Sequence, residues 1–97
     1  GGILSLAVSG SLVIAGTMSG RLFVSSDAKE FEQLGTVHTK YVHRVCANSR
    51  FLVSASHDHT VFAWNLDTRQ VLKQFKFSAT CEALCFFSET QVLIGVR

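Results

Sequence analysis

The chain has 97 residues, of which 47% are hydrophobic and 16% charged, and its formal net charge is +2. That balance excludes a disordered segment, and Lys and Arg form no stripe with interleaved aromatics, so nucleic acid is not a predicted partner. No apolar run approaches the ~20 residues of a membrane-spanning helix, and three Cys without a C-x-x-C pair make neither a disulfide framework nor a zinc knuckle.

Short apolar runs between tight polar turns fill the chain and read as strands. The first group is ILSLAVS (3–9), LVIAGT (12–17), RLFVS (21–25) and FEQLGTV (31–37), with turns at Ser9-Gly10-Ser11 and Ser19-Gly20. The second is VHRVCA (42–47), FLVSAS (51–56), TVFAWNL (60–66) and QVLKQFKF (70–77), turning at Asn48-Ser49-Arg50 and Asp58-His59. CEALCFF (81–87) and QVLIGV (91–96), about a turn at Ser88-Glu89-Thr90, begin a third. Pro is absent, so no strand is excluded on that ground. No segment carries helical apolar spacing over useful length. In QVLKQFKF, strict alternation puts Val71, Lys73, Phe75 and Phe77 on one face and Leu72, Gln74 and Lys76 on the other. Such mixing suits an outer strand that meets solvent.

The groups are copies of one pattern. Residues 3–24 lie over 42–63 at an offset of 39 without a gap, matching Ile3 to Val42, Leu6 to Val45, Ile14 to Val53 and Phe23 to Phe62. A second step of 39 brings Val42 to Cys81 and Cys46 to Cys85, and one extra residue near Glu89 restores Leu52 onto Val92. A period close to 40 is the length of one four-stranded propeller blade.

Within the second period, LVSASHDHTVFAW (52–64), with His38 ahead of it, resembles the WD-repeat family. In that family a His, a Ser or Thr, an Asp and a Trp form a buried hydrogen-bonded tetrad. Carried over, these are His38, Ser54, Asp58 and Trp64. The chemistry is self-consistent: a buried carboxylate needs donors, an imidazole supplies one, and an indole N–H needs an acceptor such as a hydroxyl. The first period has Ser19 where the Asp would stand and Ser25 where the Trp would stand, so no such network is expected there. The resemblance implies an all-β fold, a partial β-propeller of antiparallel four-stranded WD-repeat blades. Residues 1–38 would be a degenerate blade, 39–77 a blade with the tetrad, and 78–97 the first two strands of a further blade. Two and a half blades do not close a ring. The sequence is therefore expected to be part of a longer chain, or of an assembly in which other copies complete the ring.

The function so implied is a non-catalytic scaffold that binds protein or peptide partners through loops at one end of the blades. Lys40, Tyr41, His57, His59 and Met18 are the candidate contacts there, with Tyr41 foremost because Tyr is enriched at binding hot spots. His, Ser and Asp invite a catalytic triad, but no G-x-S-x-G elbow is present, so no catalytic residue is assigned. His57-Asp58-His59 falls short of the four donors of a closed zinc site, so neither metal nor cofactor is assigned. Cys46, Cys81 and Cys85 read as core thiols. An alternative is a structural subunit of a large assembly such as a coat, pore or RNA-processing complex. A propeller enzyme or lipid-binding propeller would need convergent carboxylates, or paired Arg in a turn, which this sequence lacks. The resemblance also suggests an intracellular protein of cytoplasm or nucleus.

Overall fold

A β-branched or aromatic run between two turns can satisfy its backbone only by pairing sideways, and in the computed structural model the chain does so throughout. The structure describes residues 2–34, 38–86 and 91–96. The ten strands are β1 (Ile3–Ser9), β2 (Leu12–Thr17), β3 (Leu22–Ser25), β4 (Glu32–Gln33), β5 (Val42–Ala47), β6 (Phe51–Ser56), β7 (Thr60–Asn65), β8 (Gln70–Lys76), β9 (Cys81–Phe86) and β10 (Val92–Val96). They form two four-stranded sheets, β1-β2-β3-β4 and β5-β6-β7-β8, and a two-stranded sheet of β9 and β10. All pairings are antiparallel. The described residues contain no helix. The expected turn at 88–90 and the end of the expected fourth strand at 35–37 lie outside the described residues, as does the Cys85 side chain.

The 39-residue offset survives as register. Ala7 pairs Ile14 and Ile14 pairs Val24 in the first sheet. Cys46 pairs Val53 and Val53 pairs Ala63 in the second. The inner strands of the second sheet pack side chains on both faces. Leu52, Phe62, Trp64 and Leu66 meet Ile14, Leu22, Val24 and Leu34 of the first sheet. On the opposite face Val53, Ala55 and Val61 meet Cys81, with Leu84, Phe86, Val92 and Ile94 packed against them. Fully burying an aliphatic or Phe side chain contributes roughly 1.5–3 kcal/mol, so these two layers are the main cohesive contacts between sheets.

The first strands of the sheets lie side by side, β1 against β5 and β5 against β9. Side chains cross these seams. Ser5 Oγ donates to the Val42 carbonyl at 2.9 Å. One period on, His43 Nε2 donates to the Cys81 carbonyl and Arg44 Nε to the Glu82 carbonyl. Gly16 permits the first crossing, since a Cβ there would lie 2.5 Å from Ser5 Oγ and 2.8 Å from a Val42 methyl.

Alternation in β8 differs from the expectation. Ala63 pairs Lys73 and Trp64 pairs Val71, so Leu72 is the extra residue of a bulge. A bulge resets the two-residue period. Leu72 therefore lines the same groove as Lys73 and Phe75 instead of facing away from them.

Candidate functional site: a buried polar network beneath an aromatic end

The turn joining β6 to β7 organises the polar centre. Asp58 accepts the Thr60 N–H at 2.9 Å and the Thr60 hydroxyl on Oδ1, and the Thr39 N–H at 2.9 Å on Oδ2. His59 closes the turn in the left-handed conformation, at φ 70°. The segment 38–41 is thereby tied to this turn, and it carries His38 inward.

His38 has no exposed side-chain surface. Its Nδ1 stands 3.0 Å from Thr60 Oγ1 and 3.3 Å from Asp58 Oδ2. Its Nε2 stands 2.9 Å from Ser54 Oγ, which accepts the Trp64 indole N–H at 3.1 Å. One proton arrangement satisfies every group: Trp64 N–H to Ser54, Ser54 O–H to His38 Nε2, His38 Nδ1–H to Thr60 and Asp58, and Thr60 O–H to Asp58. This places a neutral imidazole with its proton on Nδ1. Phe62 closes one side, its ring edge-on to His38 at 4.9 Å.

The electrostatics agree with that assignment. Burial pushes the His38 pKa down, and although the Asp58 charge and its hydrogen bond pull the other way, the net direction is downward. For Asp58, burial raises the pKa most, but the Thr60 hydroxyl, the Thr39 and Thr60 N–H groups and His38 together hold it below the usual carboxylate value. An ionised Asp58 beside a neutral His38 is a stable acceptor and not a poised base. Ser54 faces His38 and is itself fully buried.

The five loop residues singled out in the sequence are placed as follows. Tyr41 is 39% exposed and Met18 57%, and Lys40 is exposed. His57 is half-buried, its ring 4.4 Å from that of Tyr41 and 4.5 Å from that of His43. His59 is half-buried at its turn. The β2–β3 turn joins this end of the molecule: the Gly20 Cα sits so close to the His38 and Lys40 carbonyls that a Cβ would overlap them. Asp58 is committed to the network and the His57 ring lies between Tyr41 and His43, so the His57-Asp58-His59 run does not converge on one point.

Three participants were missed in the sequence. Thr60 sits between His38 and Asp58, and its signal is the Asp-x-Thr spacing of a turn whose carboxylate reaches two residues ahead. Ser56 donates to the Lys40 carbonyl at 2.9 Å and so holds the 38–41 segment down. His43 is buried under His57, and its Nδ1 has no hydrogen-bond partner among the described residues. Its pKa is pushed down, first by burial and further by His57 and Arg44, against the Cys81 bond and Glu82.

In the first sheet the corresponding polar groups close local turns among the described residues. Thr17 Oγ1 lies 3.0 Å from Ser19 Oγ and caps Arg21 through both its N–H and carbonyl. Ser25 Oγ serves Asp27 and the Ala28 N–H.

No family model and no curated protein sequence matches the chain. Solved structures do. The computationally designed Ika4 protein superposes with a TM-score of 0.83 at 25% identity, over 98% of this chain and 60% of that one. The structure of U3-55K and the WD40 repeats of RRP9 each superpose with a TM-score of 0.75 at 22% identity, over 84% of this chain and 27% of theirs. The chain thus spans 60% of the first of these structures and 27% of the other two. Its fold is theirs: antiparallel four-stranded WD40-type blades, set side by side as a partial β-propeller.

Proposed function

We propose that the chain is a WD-repeat segment acting as a non-catalytic scaffold, and that it engages a protein or peptide partner at the end formed by Met18, Lys40, Tyr41, His57 and His59. The observation that carries this reading is the exposed Tyr41 ring, which lies tilted against His57 with ring centres 4.4 Å apart. A large amphipathic ring, already ordered by a neighbour, loses little entropy on binding. Beneath it, His38, Ser54, Asp58 and Trp64, joined by Thr60, act as a structural tetrad that holds the 38–41 and 57–59 loops at fixed spacing. The hydrogen-bonded state of that network, with a buried neutral His38 beside an ionised Asp58, favours a structural role over a catalytic one. Likeness to WD40 structures supports an interaction scaffold in general, and an intracellular setting belongs to the same reading.

The test is a peptide library selected against the folded chain. Binders should lose about tenfold or more in affinity to Tyr41→Ala, and lose nothing to Asp67→Ala at the opposite end. Binders that ignore Tyr41 and depend on Asp67 would reject the assignment. A second reading, a structural subunit of a larger assembly, is favoured by the uncovered face of the first sheet, where Ile3, Leu6 and Val8 are 60%, 61% and 68% exposed. Sedimentation separates the two: a monomer at micromolar concentration that still binds peptide favours the first.

A further inference from the structure

The two seams between first strands are bridged by different chemistry. At the first, Ser5 Oγ on β1 donates to the Val42 carbonyl of β5 at 2.9 Å. At the second, the His43 ring on β5 takes that place, and its Nε2 donates to the Cys81 carbonyl of β9. A hydroxyl stays neutral at any ordinary pH, whereas a free imidazole gains a proton near about pH 6.5. His43 is only 7% exposed. With its proton on Nε2, its Nδ1 is a buried lone pair that has no hydrogen-bond partner among the described residues. A second N–H at that position would be a buried donor without an acceptor, and it would carry a charge.

We infer that His43 is an acid-released latch: protonation at its buried Nδ1 loosens the seam between β5 and β9, while the Ser5 seam between β1 and β5 holds. The groups around the ring set the direction. His57, on the β6–β7 turn, lies nearly perpendicular to it with ring centres 4.5 Å apart. Arg44, next on β5, reaches the Glu82 carbonyl at 3.2 Å and the His43 carbonyl at 2.9 Å. His38, ahead of β5, is a further imidazole within electrostatic reach. The Glu82 charge on β9 favours protonation, as does the Cys81 bond, but burial is the largest effect and holds the His43 pKa below its usual value. The Cys81 thiol is buried with Val53, Ala55 and Val61. Strands β1, β2 and β6 bring no charged side chain. A charged His43 therefore finds an acceptor for its second N–H only by turning out into water, which gives up the bond to Cys81 and lets β9 part from β5. The released ring regains a pKa of about 6.5, so below that value the open form binds more protons than the closed one, and opening grows by up to about tenfold per pH unit until the closed-form value is reached. The His57 ring lies between His43 and Tyr41, so the same event reaches the proposed contact end, although the latch itself does not rest on that reading.

Amide exchange of the full 97-residue chain, compared at about pH 7.5 and about pH 5.5, tests this. Protection, corrected for the intrinsic exchange rate at each pH, should fall about five- to tenfold in β9 and less than about twofold in β1. His43→Gln keeps a donor for the Cys81 carbonyl but takes no charge, so protection of β9 should become nearly independent of pH. His38→Gln should leave the fall at β9 in place. A further measurement needs no variant: the His43 ring signals, followed by nuclear magnetic resonance in the parent chain, should titrate below about pH 6.5 and together with β9 protection. No fall at β9, an equal fall in β1, a fall that persists in His43→Gln, or ring signals that titrate apart from β9 protection would each overturn the inference. A fall abolished by His38→Gln would overturn it too, by assigning the acid response to the tetrad.

Discussion

The first and second sheets share strand order, register and a 39-residue offset, yet among the described residues only the second contains a buried polar network. Ile14 and Val53 occupy the same place, as do Phe23 and Phe62, and the sheets they build have the same topology. Ser25 stands where Trp64 stands, and Ser19 where Asp58 stands, and there the hydroxyls close local turns only. The pairing of four strands thus follows from apolar pattern and turn chemistry alone. The network adds something separate, a tie from the 38–41 segment to β6, β7 and their connecting turn. It fixes loop position more than it makes a sheet.

The harshest way to break the comparison is Trp64→Ala. Trp64 is 2% exposed, sits in the seam core and donates to Ser54. Its loss should cost about 3–5 kcal/mol, read as a fall in thermal midpoint. Phe23→Ala, one sheet earlier on the uncovered face, should cost less, roughly 1–2 kcal/mol, since that ring is only partly buried.

Gly20→Ala comes next. Gly20 adopts φ 84°, and the carbonyls of His38 and Lys40 occupy the space a Cβ would need, the latter at 2.9 Å. Backbone strain and overlap together should cost about 2–3 kcal/mol, and weaker exchange protection around Thr39 should accompany it. A variant of normal stability would show that the two loops are not held together.

Asp58→Ala should cost about 1–3 kcal/mol by stripping His38 and the Thr39 and Thr60 N–H groups of their acceptor, whereas Ser19→Ala should change stability by under about 0.5 kcal/mol. Acid sharpens the contrast. The folded His38 pKa lies below its unfolded value, so below about pH 6.5 the unfolded chain binds more protons than the folded one, and stability falls as pH drops through the folded value. Asp58 is also held low, so its contribution is present above about pH 4 and is lost only as pH falls through the folded value. His43 titrates in the same sense as His38, so the experiment needs His38→Gln as a control: its stability should depend less on pH between about 7 and 5 than that of the parent. Equal dependence would place the effect wholly on His43.

Pattern made the strands legible: ILSLAVS, LVIAGT, VHRVCA and FLVSAS are strands with the bounds read from the sequence. Leu72 was not legible, because a bulge is set by how a strand meets its neighbour and leaves no mark in a period-two pattern. Four polar residues were singled out through a resemblance. Thr60 was passed over although its Asp-x-Thr spacing marks the turn, because its contact with His38 exists only once the 38–41 segment folds over that turn. His43 was passed over for a similar reason, since its burial depends on a carbonyl 38 residues away.

The smallest effect is expected at His59→Gly, and it bears on why the two turns differ. His59 occupies the place of Gly20 and the same left-handed region, at φ 70° against 84°. A side chain there costs about 1 kcal/mol relative to glycine. Glycine, in turn, loses more unfolded-state entropy, roughly 0.5–1 kcal/mol. The two terms nearly cancel, so the substitution should alter stability by no more than about 0.5 kcal/mol, with a slight gain favoured. The Ser56 carbonyl still accepts the N–H of residue 59, and the Phe77 N–H still reaches its carbonyl, so β7 and β8 keep their register. Gly20→Ala and His59→Gly together isolate one variable. If the first is costly and the second is not, the glycine requirement comes from the carbonyls of residues 38–40 pressing on the first turn, and not from the turn itself. A large loss in His59→Gly would instead mean that the imidazole contributes a contact of its own at this end.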